Sequence, residues 1–90
     1  MQQSDRVISA LIIDDDPGIQ DMVSLAIELN WPKSSVYTAA DGLTGLDLAR
    51  EHTPDVVILD LGLPDIDGLE VCQTLRAESA IPIVMLTARD

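Results

Sequence analysis

The stretch VISALIIDDDPG, residues 7–18, decides the fold. Its first seven residues are mostly apolar, which predicts a strand covered on both faces, as the strands of parallel sheets are. Asp16 is a favourable N-cap residue, and Pro17 is a favourable first residue of a helix. The stretch therefore predicts a buried strand, a turn that contains three aspartates, and the start of a helix.

Strand and helix patterns alternate along the rest of the chain. Short apolar runs predict three further strands, at residues 36–39, 56–59 and 83–86. The predicted helices span about residues 17–30, 42–52 and 69–78. Because this alternation is typical of βαβ units, the chain is expected to form an α/β domain with a parallel sheet.

Apolar residues recur with helical spacing in each predicted helix, and we expect them to face the core. In the first helix they are Ile19, Met22, Val23, Ala26 and Ile27. In the second they are Leu43, Leu46 and Ala49, and in the third Leu69, Val71, Cys72 and Leu75. Each helix is therefore predicted to pack one apolar stripe against the sheet.

The composition excludes several classes of protein. The chain has 90 residues, of which 16 are acidic and 5 basic, with a formal charge of −11 and 47% apolar residues. Such an acidic domain has no basic patch to neutralise phosphates, so we expect no direct nucleic-acid binding by this segment and no binding to a membrane. No apolar run approaches the ~18 residues of a membrane-spanning helix. The single cysteine and the lack of a signal-peptide pattern predict a cytoplasmic location.

Polar residues follow three of the predicted strands. Asp14 and Asp15 follow the first strand, Asp60 the third and Thr87 the fourth. Ligands of open parallel sheets bind at the carboxyl ends of the strands, so three carboxylates meet there if the first and third strands are neighbours. Like charges that close resist joint ionisation unless a cation lies among them. Oxygen ligands in a small acidic pocket favour Mg²⁺.

A magnesium site of this kind suits phosphoryl transfer. An aspartate can act as a nucleophile and form an aspartyl phosphate. The metal would neutralise charge on the phosphoryl oxygens, and Thr87 could donate a hydrogen bond to one of them. The residues thus predict a metal-assisted phosphoryl acceptor, and the pattern alone leaves open which aspartate is attacked.

Two further acids lie close to these candidates. Asp65 and Asp67 do not form a calcium-binding EF-hand loop, because with Gly68 in the sixth position the first position would be Leu63. We expect both acids to be solvated loop and helix-start charges, which are favourable beside a helix dipole.

Three segments, in this order, resemble the receiver domain of two-component response regulators. They are ALIIDDDPGI (10–19), PDVVILDLGLPDIDGLEV (54–71) and IPIVMLTARD (81–90). The sequences of these segments are most similar to receiver domains of the OmpR/PhoB type, which are joined to winged-helix DNA-binding domains. The resemblance implies a flavodoxin-like (CheY-like) doubly wound parallel sheet with strand order 2-1-3-4.

The resemblance also implies roles for five residues. Asp60 matches the phosphoacceptor, and Thr87 matches the switch hydroxyl. Asp14 and Asp15 match the acidic pair that binds Mg²⁺, and the backbone carbonyl of Gly62 matches a further metal ligand. The implied partner is a sensor histidine kinase, and the implied output is the regulation of transcription through a separate DNA-binding domain.

The family pattern also includes a fifth strand that ends in a lysine, and further helices. The only lysine here, Lys33, lies between the first helix and the second strand. We therefore expect residues 1–90 to be a receiver domain that is incomplete at its C-terminus. The strand at 83–86 would then be an open apolar edge, which favours self-association or a homodimer.

Two alternatives remain open at this point. Phosphatases of the haloacid-dehalogenase type have an apolar strand that ends in D-x-D, which Asp14 and Asp16 fit, with Asp14 as the nucleophile. A pseudo-receiver that binds a partner without being phosphorylated fits the missing lysine. The position of the phosphorylated aspartate distinguishes the first alternative, and the response to Mg²⁺ distinguishes the second.

Overall fold

Strands and helices alternate through residues 7–86, the part of the chain that the computed structural model describes. The strands are β1 (Ser9–Ile13), β2 (Ser35–Ala39), β3 (Val56–Asp60) and β4 (Ile83–Leu86). The helices are α1 (Pro17–Asn30), α2 (Gly42–His52) and α3 (Gly68–Glu78). All seven elements were predicted from the sequence. Thr87 lies outside the described residues.

The four strands form one parallel sheet with the order β2-β1-β3-β4. β1 pairs with β2 on one side and with β3 on the other, where Ile13 lies opposite Leu59. The predicted α/β class and the order 2-1-3-4 are confirmed. Because every strand runs in the same direction, all four carboxyl ends lie at one edge of the sheet.

The helices cover both faces of the sheet. Leu11 and Ile13 of β1 belong to a core that also includes buried residues of α2 and α3. Ala10 and Ile12, which alternate with them, pack with Ile27 of α1 in a second core. The strand is buried on both faces, which explains why its sequence is almost continuously apolar.

Aspartates fix the start of each helix. The Asp16 carboxylate accepts the N–H of Gly18 at 2.8 Å, which confirms Asp16 as the N-cap of α1. Asp41 caps α2 by accepting the N–H of Thr44 at 2.8 Å, and Asp67 caps α3. Each cap satisfies backbone donors that the helix itself leaves without partners. The helices therefore begin at defined residues directly after the strands or loops that precede them.

The predicted inward orientation of Leu43 and Leu69 is wrong. These side chains are 57% and 53% exposed. Each follows a buried glycine, Gly42 or Gly68, that starts its helix. Successive residues lie about 100° apart around a helix, so burial of the glycine turns the next residue towards solvent. At the start of both helices, the buried position is therefore that of the glycine and not that of the leucine that follows it.

Two members of the stripe predicted for α1 are also exposed. Met22 is 60% exposed and Ala26 is exposed, whereas Ile27 is buried and Val23 is half-buried. The contact between α1 and the sheet is therefore narrower than the apolar spacing indicated.

The described sheet has β4 at one edge. Val84 and Met85 of β4 are 52% and 38% exposed. The self-association expected from an apolar edge stays a prediction. Within residues 7–86, no helix has the length and apolarity needed to cross a bilayer.

Candidate functional site

β1 is followed by two aspartates in different environments. Asp14 is fully buried, whereas Asp15 is exposed. The Asp14 N–H donates to the carbonyl of Ala39 at 3.0 Å, which extends the contact between β1 and the end of β2. The Asp14 carboxylate accepts the N–H of Asp16 at 2.9 Å. Hydrogen bonds therefore fix both the backbone and the side chain of Asp14.

A third carboxylate comes from the neighbouring strand. Asp60 is the last residue of β3 and is 1% exposed. One carboxylate oxygen from each of Asp14, Asp15 and Asp60 lies within 4.8 Å of the others. We call these three residues the acidic cluster. The structure thus brings together three of the residues that the sequence predicted to meet at this edge of the sheet.

The acidic cluster has the donor set of a metal site. Three carboxylates this close repel one another, and the two buried ones have little access to screening water. A cation within reach of all three would remove that conflict. Carboxylate oxygens alone, with no nitrogen or sulfur ligand, suit hard divalent cations. These residues therefore fit a metal ion, and the cluster could hold one.

Gln20 is a residue of this region that the sequence reasoning missed. Its Nε2 donates to the carbonyl of Asp14 at 2.6 Å and to the carbonyl of Ala39 at 3.3 Å. One side-chain amide therefore joins the ends of β1 and β2. Gln20 lies in the first turn of α1, which begins at Pro17 and so stays close to the end of β1. The sequence offered one signal for this role, the position of Gln20 in the first turn of α1.

The loop between β3 and α3 passes beside Asp60. A β-carbon built on Gly68 would lie 2.6 Å from Cα of Leu61 and 2.7 Å from the carbonyl oxygen of Asp60. The Gly68 N–H also donates to the Leu61 carbonyl at 3.2 Å. A β-carbon built on Gly62 would lie 3.9 Å from Oδ2 of Asp60. The predicted ligand Gly62 is therefore close to the Asp60 carboxylate, whereas the predicted switch Thr87 lies outside the described residues.

Asp65, in the same loop, is bound to a helix. Its carboxylate accepts the N–H of Gly42 at 2.8 Å and the N–H of Leu43 at 2.9 Å. These two backbone hydrogen bonds lower the pKa of Asp65 below its ordinary value. Asp65 is exposed, as the sequence predicted, and its carboxylate in addition binds the first turn of α2, more than twenty residues earlier in the chain.

A family model described as the response regulator receiver domain matches residues 10–90. The chain belongs to this family. The resemblance found in the three sequence segments is thereby confirmed over nearly the whole chain. Receiver domains of response regulators are signalling domains, and this chain is therefore a signalling domain.

Curated relatives of this receiver are transcriptional regulators. The probable transcriptional regulatory protein TcrX of Mycobacterium tuberculosis is 40% identical over 92 residues, which cover 100% of this chain and 38% of TcrX. The DNA-binding dual master transcriptional regulator RpaA of Synechocystis is 48% identical over 81 residues, which cover 87% of this chain and 33% of RpaA. The chain spans about a third of the length of these relatives.

Solved receiver structures share the fold. The BeF3-activated receiver domain of RstA from Klebsiella pneumoniae matches with a TM-score of 0.82 and 28% identity, over 91% of this chain and 68% of that one. The chemotaxis protein CheY4 of Vibrio cholerae matches with a TM-score of 0.81 and 33% identity, over 93% of this chain and 71% of that one. These similarities agree with the observed strand order.

The family match does not favour the phosphatase alternative. It spans both Asp14 and Asp60 within one receiver pattern, so the D-x-D arrangement after β1 needs no separate explanation. The pseudo-receiver alternative is not favoured either, because all three carboxylates of the acidic cluster are present.

Proposed function

We propose that this receiver accepts a phosphoryl group on Asp60 from a sensor histidine kinase, with Mg²⁺ bound at the acidic cluster. One observation carries the proposal: Asp60 is buried at the end of β3, with carboxylate oxygens of Asp14 and Asp15 within 4.8 Å. Three neighbouring carboxylates repel an anionic phosphoryl group. A bound cation would offset this repulsion and allow Asp60 to act as the nucleophile.

The proposed transfer moves the phosphoryl group from a histidine of the kinase to Asp60. A carboxylate oxygen of Asp60 forms a bond to phosphorus while the bond from phosphorus to the kinase histidine nitrogen breaks, and its electron pair stays on the imidazole. Asp14, Asp15, Asp60 and the carbonyl of Gly62 would hold the metal. When bound, Mg²⁺ supplies positive charge that neutralises the phosphoryl oxygens.

Thr87 completes the proposed site. Its hydroxyl would donate a hydrogen bond to a phosphoryl oxygen and so move in response to the new charge on Asp60. We propose that the resulting change of surface controls transcription through a DNA-binding part of the same protein. Support for this output comes from the curated relatives, which are transcriptional regulators about three times as long as this chain.

Mass spectrometry of the complete gene product tests the proposal. After incubation with acetyl phosphate and Mg²⁺, we expect one phosphoryl group per molecule, located on Asp60. Asp60→Asn should abolish the adduct. Asp67→Asn is the matched control, because it changes a nearby exposed acid to another good helix N-cap residue and should keep the adduct.

Each alternative predicts a different result. An adduct that survives Asp60→Asn and maps to Asp14, together with turnover of p-nitrophenyl phosphate, would indicate a phosphatase. A protein whose backbone amide signals near Asp15 and Asp60 show no saturable response to Mg²⁺ would be a pseudo-receiver. Either outcome would overturn the proposed function.

A further inference from the structure

The loop that carries Gly62 is tied to a distant helix by one carboxylate. Asp65 lies three residues after Gly62, and its two oxygens accept separate donors: Oδ1 takes the N–H of Gly42, and Oδ2 takes the N–H of Leu43. A carboxylate that accepts two backbone N–H groups at a helix N-terminus combines two charge-assisted hydrogen bonds with a favourable dipole. The contact is therefore a defined, directional connection between two segments.

This connection is distinct from the cap of α2. Asp41 is the N-cap residue and accepts the N–H of Thr44 at 2.8 Å. Asp65 accepts the two N–H groups before that of Thr44. The first turn of α2 therefore donates to one carboxylate that is local in sequence and to one that is distant. Loss of Asp41 would weaken the helix start alone, whereas loss of Asp65 would also release the loop.

Close packing reinforces the connection. A β-carbon built on Gly42 would lie 2.6 Å from Cγ1 of Ile66 and 2.9 Å from Cγ2 of Val71. The residue after Asp65 therefore sits directly on the helix residue that donates to Asp65. Only a glycine at position 42 lets the loop approach this closely without displacing Ile66.

The other end of the loop lies beside the acidic cluster. The hydrogen bond from the Gly68 N–H to the Leu61 carbonyl closes the base of the loop. Gly62 lies between that base and Asp65, next to the Asp60 carboxylate. Gly62 is exposed, and glycine has the widest backbone freedom of any residue. Its carbonyl can keep one orientation only if the loop on either side of it is fixed.

We propose that Asp65 is a positioning residue of the metal and phosphoryl site, which fixes the β3–α3 loop, and with it the Gly62 carbonyl, by its two hydrogen bonds to the start of α2. The inference rests on the proposed function. When the loop samples other conformations, the apparent metal affinity equals the intrinsic affinity multiplied by the fraction of molecules that keep the competent conformation. The contact between Asp65 and α2 does not involve the metal ligands, because both of its donors are backbone N–H groups of α2.

A Mg²⁺ titration followed by backbone amide chemical shifts tests this role in the complete gene product. Asp65→Ala should weaken Mg²⁺ binding about threefold or more, while Asp41→Ala should change it about twofold or less. The two variants form a matched pair, because each removes one negatively charged carboxylate that accepts N–H groups of the first turn of α2. Asp65→Asn, which keeps one acceptor oxygen, should lie between Asp65→Ala and the unchanged protein.

A second measurement does not involve the metal. In Mg²⁺-free protein, hydrogen exchange of the Gly68 amide, which is hydrogen-bonded to the Leu61 carbonyl at the base of the loop, should accelerate in Asp65→Ala and stay unchanged in Asp41→Ala. Should Asp65→Ala prevent folding, the pair Asp65→Asn and Asp41→Asn gives the same comparison.

The possible failures are distinguishable. If the unchanged protein shows no saturable response to Mg²⁺, the proposed function fails and this inference fails with it. If the unchanged protein binds Mg²⁺ but the Asp65 and Asp41 variants weaken binding equally, Asp65 only stabilises α2, and the inference alone is wrong.

Discussion

Gly45 of α2 lies directly against Ile13 of β1. A β-carbon built on Gly45 would be 2.5 Å from Cδ1 and 2.8 Å from Cγ1 of Ile13. Ile13 is fully buried and directly precedes Asp14. The distance between this helix and the sheet therefore helps to fix where β1 ends, and with it the first carboxylate of the acidic cluster.

Substitution of Gly45 by alanine should destabilise the protein. Alanine favours a helix interior by about 1 kcal/mol over glycine. Overpacking of a filled core costs about 1–3 kcal/mol, and the β-branched Ile13 has little rotamer freedom to move aside. We expect the free energy of unfolding in urea to fall by roughly 1 kcal/mol net. Thr44→Ala, at the adjacent exposed position, should change it by less than ~0.5 kcal/mol. A more stable Gly45→Ala protein would contradict the close contact.

Gly68 and Gly62 should respond differently to alanine. The β-carbon at Gly68 would meet backbone atoms of Asp60 and Leu61, which cannot rotate away, whereas the nearest atom to a β-carbon at Gly62 is 3.9 Å away. We expect Gly68→Ala to lower the free energy of unfolding by about 2 kcal/mol or more and Gly62→Ala to change it by less than ~0.5 kcal/mol. Urea titration measures both. Equal effects would mean that α3 does not pack on the end of β3 as observed.

Loss of the Gln20 amide should loosen the end of β1. Gln20→Met keeps the length and helix propensity of the side chain but removes both hydrogen bonds to strand carbonyls. We expect a loss of about 1 kcal/mol in the free energy of unfolding, together with weaker Mg²⁺ binding in the amide-shift titration. Gln73→Met, on the exposed side of α3, is the control and should leave both quantities unchanged. Unchanged Mg²⁺ binding in Gln20→Met would show that Gln20 supports the fold but not the site.

The ion pair between α2 and α3 should make stability depend on pH. Arg50 Nη2 lies 2.8 Å from Oε2 of Glu78, and this hydrogen-bonded pairing lowers the pKa of Glu78 below its ordinary value. A carboxyl whose pKa is lower in the folded state stabilises the fold above its unfolded pKa, and the contribution is lost as the pH falls through the folded pKa. We expect Glu78→Gln to lower the thermal midpoint slightly at pH 7, with the difference shrinking below about pH 4.

Circular dichroism melts at several pH values measure this effect. Because the pair is exposed, high salt should also reduce the difference. Glu51→Gln, at another exposed acid of α2, is the control variant for the loss of one negative charge. A difference between Glu78→Gln and the unchanged protein that is as large at pH 3 as at pH 7 would contradict the assignment to this carboxylate.

The sequence predicted the elements of the fold well because their signals are local. The apolar run before Asp14 and the Asp16–Pro17 helix start each act within a few residues, and both have the predicted structure. Convergence of Asp14 and Asp60 was predicted from the direction of parallel strands, with no knowledge of side-chain contacts. Strand order came from the family resemblance.

Contacts between distant segments could not be predicted in this way. Asp65 binds α2, and Gln20 joins the ends of two strands, but neither pairing leaves a periodic pattern in the sequence. Leu43 and Leu69 show a related difficulty. Hydrophobicity assigned them to the core, while close packing buries the glycine before each of them.

The pairing of β1 with β3 has a consequence for how such sites can diverge. Asp14 and Asp60 each follow one member of the paired residues Ile13 and Leu59. Adjacent strands in a sheet are spaced at about 4.8 Å by their backbone hydrogen bonds, whatever side chains they carry. Substitutions in the core therefore cannot change the distance between these two strand ends unless they break the backbone hydrogen bonds between β1 and β3. Proteins built on this ladder can therefore share one distance between the two strand ends and still differ in the loops that follow them.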